Sequence, residues 1–170
     1  MALYLLSNTT ATSTAAPVKQ PTGTAIRTML QVKTGAGTMA KIVEWGCSFD
    51  GSAAATPGQV ELFGCTGAAT MSTALTNADI MPYDPNSYVN ASNFPFDLST
   101  TTSGFATAAV TEGTVANYRS FDPQMVMGTN QYVKQFPLGR EPMLGSASFC
   151  RIRVTFGTTY NMYCYIVFEV

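Results

Sequence analysis

The chain predicts an all-β domain, a jelly-roll-like two-sheet β-sandwich with an extended N-terminal arm; an immunoglobulin-like sandwich is the second architecture. Three observations carry that prediction. Many segments alternate apolar and polar residues with period two, the mark of half-buried strands. Gly, Pro, Asn and Asp separate these segments at the spacing of sandwiches and barrels. No segment of helix length shows helical periodicity.

Taken in order, Leu3, Tyr4, Leu5 and Leu6 read as a short docking strand. Residues 7–25 hold two prolines and almost no large apolar side chain, so they cannot build a core. Residues 1–25 are therefore expected as a strand plus extended arm, and 26–170 as the sandwich. Ile26 to Val32 is the first domain strand. From Met39 to Phe49, Val43, Trp45, Cys47 and Phe49 are expected on one face, with Ile42, Glu44, Gly46 and Ser48 on the other. Asp50-Gly51 ends it with turn chemistry. In the strand from Gln59 to Cys65, Val60 and Leu62 oppose Glu61, Phe63 and Cys65.

Residues 68–78 fit a strand or a turn of helix. Pro82, Pro85, Asn86, Asn90, Asn93 and Pro95 then punctuate an irregular stretch to Gly104. Loops of this length carry function or contacts, and Tyr83, Tyr88, Phe94 and Phe96 are its candidate anchors. Phe105 to Val110, Val115 to Phe121 and Gln131 to Phe136 read as strands. From Phe149, the residues Cys150, Ile152, Val154 and Phe156 point in, while Arg151, Arg153 and Thr155 point out. Tyr160 to Val170 is apolar on both faces, hence a central or doubly covered strand.

Composition narrows the function. Of 170 residues, 46% are hydrophobic but only 11% charged, against about 25% in ordinary domains. The polar skin must be Thr, Ser, Asn, Gln and backbone. We read it as a surface covered by neighbouring subunits, the other reading being a monomer with a neutral skin. Nine basic residues face ten acidic ones, and no Lys/Arg cluster offers phosphate contacts, which argues against nucleic acid. The apolar start is too short for a signal-peptide core. The run from Met162 to Phe168 is too short to span a bilayer as a helix. No membrane anchor is expected, and the protein reads as made in the cytoplasm.

There is no histidine. That removes Ser-His-Asp and Cys-His nucleophilic sets and His-ligated metals. Gly35-Ala36-Gly37 lies between strands and lacks the helix of a phosphate cradle. Glu44, Glu61, Glu112 and Glu141 could supply the paired acids of a glycoside hydrolase, but no spacing brings two together. Asp79, Asp84 and Asn86 lack the calcium-loop pattern. Cys47, Cys65, Cys150 and Cys164 form no CxxC. They read as buried free thiols, with a Cys47–Cys65 or Cys150–Cys164 disulfide as the alternative. Trp45 reads as core, its indole N–H needing a partner, rather than as a sugar platform. Pro137-Leu138-Gly139-Arg140-Glu141-Pro142 is a rigid corner. Arg140 suits a carboxylate, with Glu44 or a neighbouring subunit as candidates, so the corner is a brace or an interface. No cofactor, metal or enzymatic activity is expected.

The blocks Glu44-Trp45-Gly46-Cys47-Ser48-Phe49-Asp50-Gly51, Gln59-Val60-Glu61-Leu62, Gln135-Phe136 with the Pro137 to Pro142 corner, Arg151 to Thr155, and Tyr165 to Glu169 resemble small phage and prophage virion accessory proteins. The likeness covers most of residues 26–170 and leaves 1–25 outside. It implies a head-decoration or cement protein, commonly trimeric, seated on a capsid lattice and without catalysis. A tail or fibre component stays open.

The resulting expectation is a structural virion protein. Its partners would be copies of itself, a trimer favoured, and the major capsid protein or another virion protein. Leu3, Tyr4, Leu5, Leu6, Arg140 and Glu141 are its assembly residues, and Tyr83, Tyr88, Phe94 and Phe96 its loop contacts. Deleting residues 1–25 is expected to leave a folded domain that no longer assembles. The alternative is a carbohydrate- or receptor-binding module of a tail or fibre.

Overall fold

The computed structural model describes residues 2–11, 14–52, 54–84 and 95–170. Its long strands are β1 (Leu3–Ser7), β2 (Arg27–Thr34), β3 (Ala40–Phe49), β4 (Pro57–Cys65), β5 (Arg119–Met127), β6 (Gln131–Gln135), β7 (Phe149–Thr155) and β8 (Asn161–Glu169). Their pairing is nested and antiparallel: β1 with β8, β2 with β7, β3 with β6, β4 with β5. Further ladders join β8 to β3 and β7 to β4. The sheets thus read β6-β3-β8-β1 and β5-β4-β7-β2. An antiparallel ribbon folded back and rolled in this order is a jelly roll. Two-residue ladders extend both sheets, and Asn77–Asp79 forms a 3-10 turn.

Alternation decides the core. Cys150, Ile152, Val154 and Phe156 are buried, as are Val60, Leu62, Met162, Cys164, Ile166 and Phe168. Edge-to-face ring contacts join Phe49 to Phe156 and Phe156 to Tyr160, with centroids at 5.1 and 5.2 Å. β8 lies between β3 and β1, the central place expected for it; its inner face is Met162, Cys164, Ile166 and Phe168, and its outer face carries the half-buried Tyr163 and Tyr165.

Simple alternation fails at one point of β3. Ile42 is fully buried and Val43 only half-buried. The register with β8 shifts between Val167 and Phe168, opposite Glu44 and Ile42. This bulge inserts one extra residue and reverses the phase of everything before it. A second shift, between Ile152 and Arg153, lets Met29 and Leu30 both be buried in β2.

The middle of the chain departs from expectation. Of the stretch expected from Phe105 to Val110 only Phe105 is strand, in the two-residue ladder Gly104–Phe105, and the strand expected from Val115 to Phe121 begins at Arg119 and runs to Met127. Residues 107–118 are rich in Thr and Ala, with Val110, Val115 and Tyr118 as their only larger apolar or aromatic side chains. Pro123 does not stop β5, because β5 is an edge and its missing N–H costs no ladder bond there.

Leu3, Tyr4, Leu5 and Leu6, expected to dock on a neighbour, belong to this chain's own sheet. They are the first strand of the roll, held between β8 and Met81–Pro82. Tyr4 and Leu6 face the core and are buried. Ala2 and Val170 exchange both backbone hydrogen bonds, at 2.9 and 3.0 Å. Beyond the strand, Asn8 prolongs the pairing with its side chain: Nδ2 donates to the Met162 carbonyl at 2.9 Å, and Oδ1 accepts from the Cys164 N–H at 2.8 Å. The short apolar strand was legible. Its partner was not, because an edge-seeking strand pairs with whichever edge the closed topology leaves beside it.

The deletion outcome therefore reverses. Removing residues 1–25 uncovers β8 and loses the burial of Tyr4 and Leu6, about 3–6 kcal/mol for the two side chains alone. The truncated chain should show no cooperative thermal transition by circular dichroism. A sharp transition near that of the full chain would contradict this.

Candidate interaction surface

One flank of the sandwich carries two open strand edges. β5 ends one sheet and β6 the other, joined by a turn over residues 128–130. Strand edges with unpaired N–H and C=O groups are natural docking sites and are usually blunted. Here Pro123 and Lys134 do some blunting. Large apolar side chains nevertheless lie exposed beside both edges: Met125 at 69%, Val133 at 54%, and Met127.

A buried carboxylate holds this flank together. Asp122 of β5 points inward and is 7% exposed. Its Oδ2 accepts from Trp45 Nε1 at 3.0 Å and from the Tyr132 hydroxyl at 2.8 Å; Oδ1 accepts from Gln124 Nε2 at 2.7 Å. Trp45 and Tyr132 come from β3 and β6 of the other sheet, so the carboxylate clasps the sheets at their open edges. The Trp45 and Tyr132 rings pack at 5.4 Å. Burial, then the bond to Asp122, push the Tyr132 phenol up to about 12. Trp45 is thus core, and Asp122 is the partner its indole required.

Next to the flank stands the corner containing Arg140 and Glu141. Arg140 N–H donates to the Pro137 carbonyl at 2.9 Å, and Gly139 has φ of +80°. This is a type II turn, which needs glycine at its third position. The Glu141 carboxylate accepts from the Gly139 N–H at 2.8 Å and braces the turn. Leu138 is pushed into solvent at 96% exposure, and Arg140 is exposed beside it. Glu141 is therefore a local brace. The Arg140–Glu44 pairing does not form: Glu44 accepts from the Tyr165 hydroxyl at 2.6 Å, and Arg140 stays exposed on its turn.

The outer faces of the two sheets differ. Arg151 points outward, as expected, yet is fully buried, because the connection between β4 and β5 folds over that face. Arg151 Nη2 donates to Glu112 Oε2 at 2.5 Å and to Thr28 Oγ1 at 2.6 Å. Phe63 lies between the Arg151 and Arg153 guanidinium groups, at 5.3 and 4.6 Å. Arg153 pairs with Glu61 at 2.6 Å, and the Tyr118 hydroxyl donates to Glu61 at 2.7 Å. Gln31 adds bonds to the Ala69 backbone. The other sheet has an open tyrosine face. Tyr163 and Tyr165 stand half-buried on β8 with ring centroids 6.2 Å apart.

Among the loop contacts, Tyr83 is 56% exposed, whereas Phe96 is buried against Tyr4 and Phe168, at 6.2 and 5.2 Å. Phe96 is a core anchor, not a contact. Tyr88 and Phe94 lie outside the described residues. Sequence reading missed Asp122 and the outer-face tyrosines. The alternation of Tyr163 and Tyr165 was the available signal for the latter.

Each glutamate considered for acid chemistry is engaged separately: Glu44 with Tyr165, Glu61 with Arg153, Glu112 with Arg151, Glu141 with its turn. Among the described residues no group of three or more His, Cys, Asp or Glu could hold a metal, and no helix is long and apolar enough to cross a membrane. The four cysteines are free and buried. Burial pushes the Cys47 thiol up to about 12, and those of Cys150 and Cys164 well above the usual 9.0.

Asp122→Ala strands the Trp45 and Tyr132 donors and should cost about 3 kcal/mol. That lowers the melting temperature by roughly 6–12 °C at this chain length and red-shifts the single tryptophan's emission; unchanged emission and melting would refute the clasp. The thiols give a pH signature. Their folded pKa values exceed the unfolded ones, so their stabilisation is complete below the unfolded value and lost as pH climbs toward the folded ones. With no histidine to titrate, the melting temperature should be flat from about pH 6 to 8 and fall above about pH 9. All four thiols should resist a thiol reagent in the native protein and react in denaturant. Compared with family models, curated proteins and solved structures, the chain matches none.

Proposed function

We propose that this chain is a structural subunit of a virus particle, a capsid decoration or cement protein that works by adhesion between subunits. The observation that carries the reading is the flank where two open strand edges meet exposed Met125, Met127 and Val133, with Leu138 projecting from the adjoining turn. Isolated domains rarely leave such edges uncovered. The low charge fraction supports the same reading, since the polar skin that keeps monomers apart is thin. The jelly roll itself occurs in capsid proteins and in lectins, so it supports the role by analogy of fold alone.

The mechanism is association energy. Apolar burial contributes about 25 cal/mol per Å², opposed by lost translational and side-chain freedom. Repetition over a lattice turns modest contacts into tight retention. The clasp at Asp122 fixes the flank beforehand, so little ordering remains to be done on docking.

Sedimentation velocity should show concentration-dependent species above the 18.1 kDa monomer. Met125→Lys and Val133→Lys should shift them to monomer without lowering the melting temperature, since both side chains are exposed. A protein that stays monomeric at every concentration and is not retained by capsids would sink the proposal.

A further inference from the structure

The outer face of the β6-β3-β8-β1 sheet holds a groove with a different character from the flank. A cavity of about 290 Å³ opens between the segment after β1 and the 3-10 turn; Ser7, Thr9, Ala78, Met81 and Tyr163 are among its lining residues. None of the lining residues is charged. Asp79 builds the wall: it is 1% exposed, its Oδ1 accepts from the Ala11 N–H at 2.8 Å, and its Oδ2 accepts from Thr76 N–H and hydroxyl at 2.8 and 2.7 Å. The cavity is therefore held open by bonds outside it. Ser7 lies in its lining, 1% exposed; its Oγ makes no hydrogen bond of full geometry among the described residues, and the group that faces it is the Tyr163 hydroxyl. A buried hydroxyl left so poorly paired costs free energy, and a ligand hydroxyl entering beside Tyr163 would supply the missing bond.

The groove continues along β8. Ser7 is in register with Tyr165, and Tyr165 with Gly46. A Cβ on Gly46 would meet the Tyr165 ring at 2.7 Å, so this ring lies across bare backbone and turns its other face outward. Tyr163 stands beside it. Glu44 Oε1 is taken by the Tyr165 hydroxyl, while Oε2 accepts no hydrogen bond among the described residues. The groove thus offers ring faces at two steps, one carboxylate oxygen and a hydroxyl-lined cavity.

We propose that this groove binds a neutral, hydroxyl-rich oligosaccharide. One sugar unit occupies the cavity and satisfies Ser7 Oγ. The next stacks on the tyrosine faces, its C–H groups against the rings, and one of its hydroxyls donates a hydrogen bond to Glu44. A flat ring with an adjacent acceptor suits a pyranose, which is apolar on its faces and polar at its rim. The uncharged lining and the Glu44 carboxylate disfavour acidic sugars. This inference is independent of the assembly reading, since it uses the opposite kind of surface and none of the flank residues.

The test is saturation-transfer NMR on the full chain with malto-, cello-, manno- and xylohexaose, and hexagalacturonate as the charged probe. At least one neutral saccharide should show transfer, and hexagalacturonate none. Tyr163→Ala and Tyr165→Ala should weaken binding about tenfold or more, while Tyr118→Ala on the other sheet leaves it intact. Ser7→Ala keeps the fold secure, because it removes a poorly paired hydroxyl. It should leave the melting temperature level or higher and still weaken binding severalfold. No transfer to any neutral saccharide, equal transfer to hexagalacturonate, or full binding by the Ser7→Ala protein overturns the proposal. So does dissociation of an oligomer by Tyr163→Ala with saccharide binding unchanged, which would make the face a protein contact.

Discussion

Asp122 is a carboxylate buried between two sheets, and among the described residues no Lys or Arg is bonded to it. Three neutral donors hold it, and two of them come from the opposite sheet. A jelly roll is open where its fifth and sixth strands turn, because no further strand covers them. Something must fix the two sheets there, or the edges would splay and the turn at residues 128–130 would swing. A hydrophobic contact could fill the space but would not set the spacing. Hydrogen bonds with defined lengths and angles do, since a buried donor without its acceptor is strongly disfavoured. The exposed apolar side chains outside this clasp are consequently presented from a rigid support, which is what a docking surface needs.

The two outer faces show the same chain solving one problem in opposite ways. Over β4, β7 and β2 the chain covers itself. Arg151 is drawn wholly out of water and balanced by Glu112, Thr28 and the Phe63 ring. A guanidinium in that position would be prohibitive without its carboxylate, so the connection that brings Glu112 is part of the sheet's packing rather than an ornament. Over β8 the cover is partial: the segment after β1 reaches Tyr163, and Gly46 lets the Tyr165 ring lie flat. The first face is finished within the chain, and the second is left for something else to touch.

Much of the fold was legible because alternation is a local property. β7 and β8 read correctly from their own residues, and the doubly apolar β8 could be placed at the centre of a sheet. The nested strand order was not readable, since it depends on which edges remain when the roll closes. That is why Leu3 to Leu6 suggested an outside partner. Bulges were invisible for a related reason: Ile42 and Val43 differ too little in hydrophobicity to reveal a phase change that only the neighbouring strand imposes. For the site, Pro137 to Glu141 was legible as a corner because Pro and Gly fix dihedral angles by themselves. Asp122 was not, because nothing in a strand reading Phe-Asp-Pro-Gln says which way the acid points.

Pairing of Ala2 with Val170 brings the two ends of the described chain to one spot on one sheet. Both directions of extension leave the domain there, away from the turn at residues 128–130 and from the cavity beside Ser7. A short linker could join the ends and the chain could be reopened at the exposed turn near Gly157, giving a circular permutant with the same roll. Equally, a tag or cargo placed at either end would emerge beside Met143, next to the Pro137 to Pro142 corner, and would leave the turn at residues 128–130 at the far end of the same sheet.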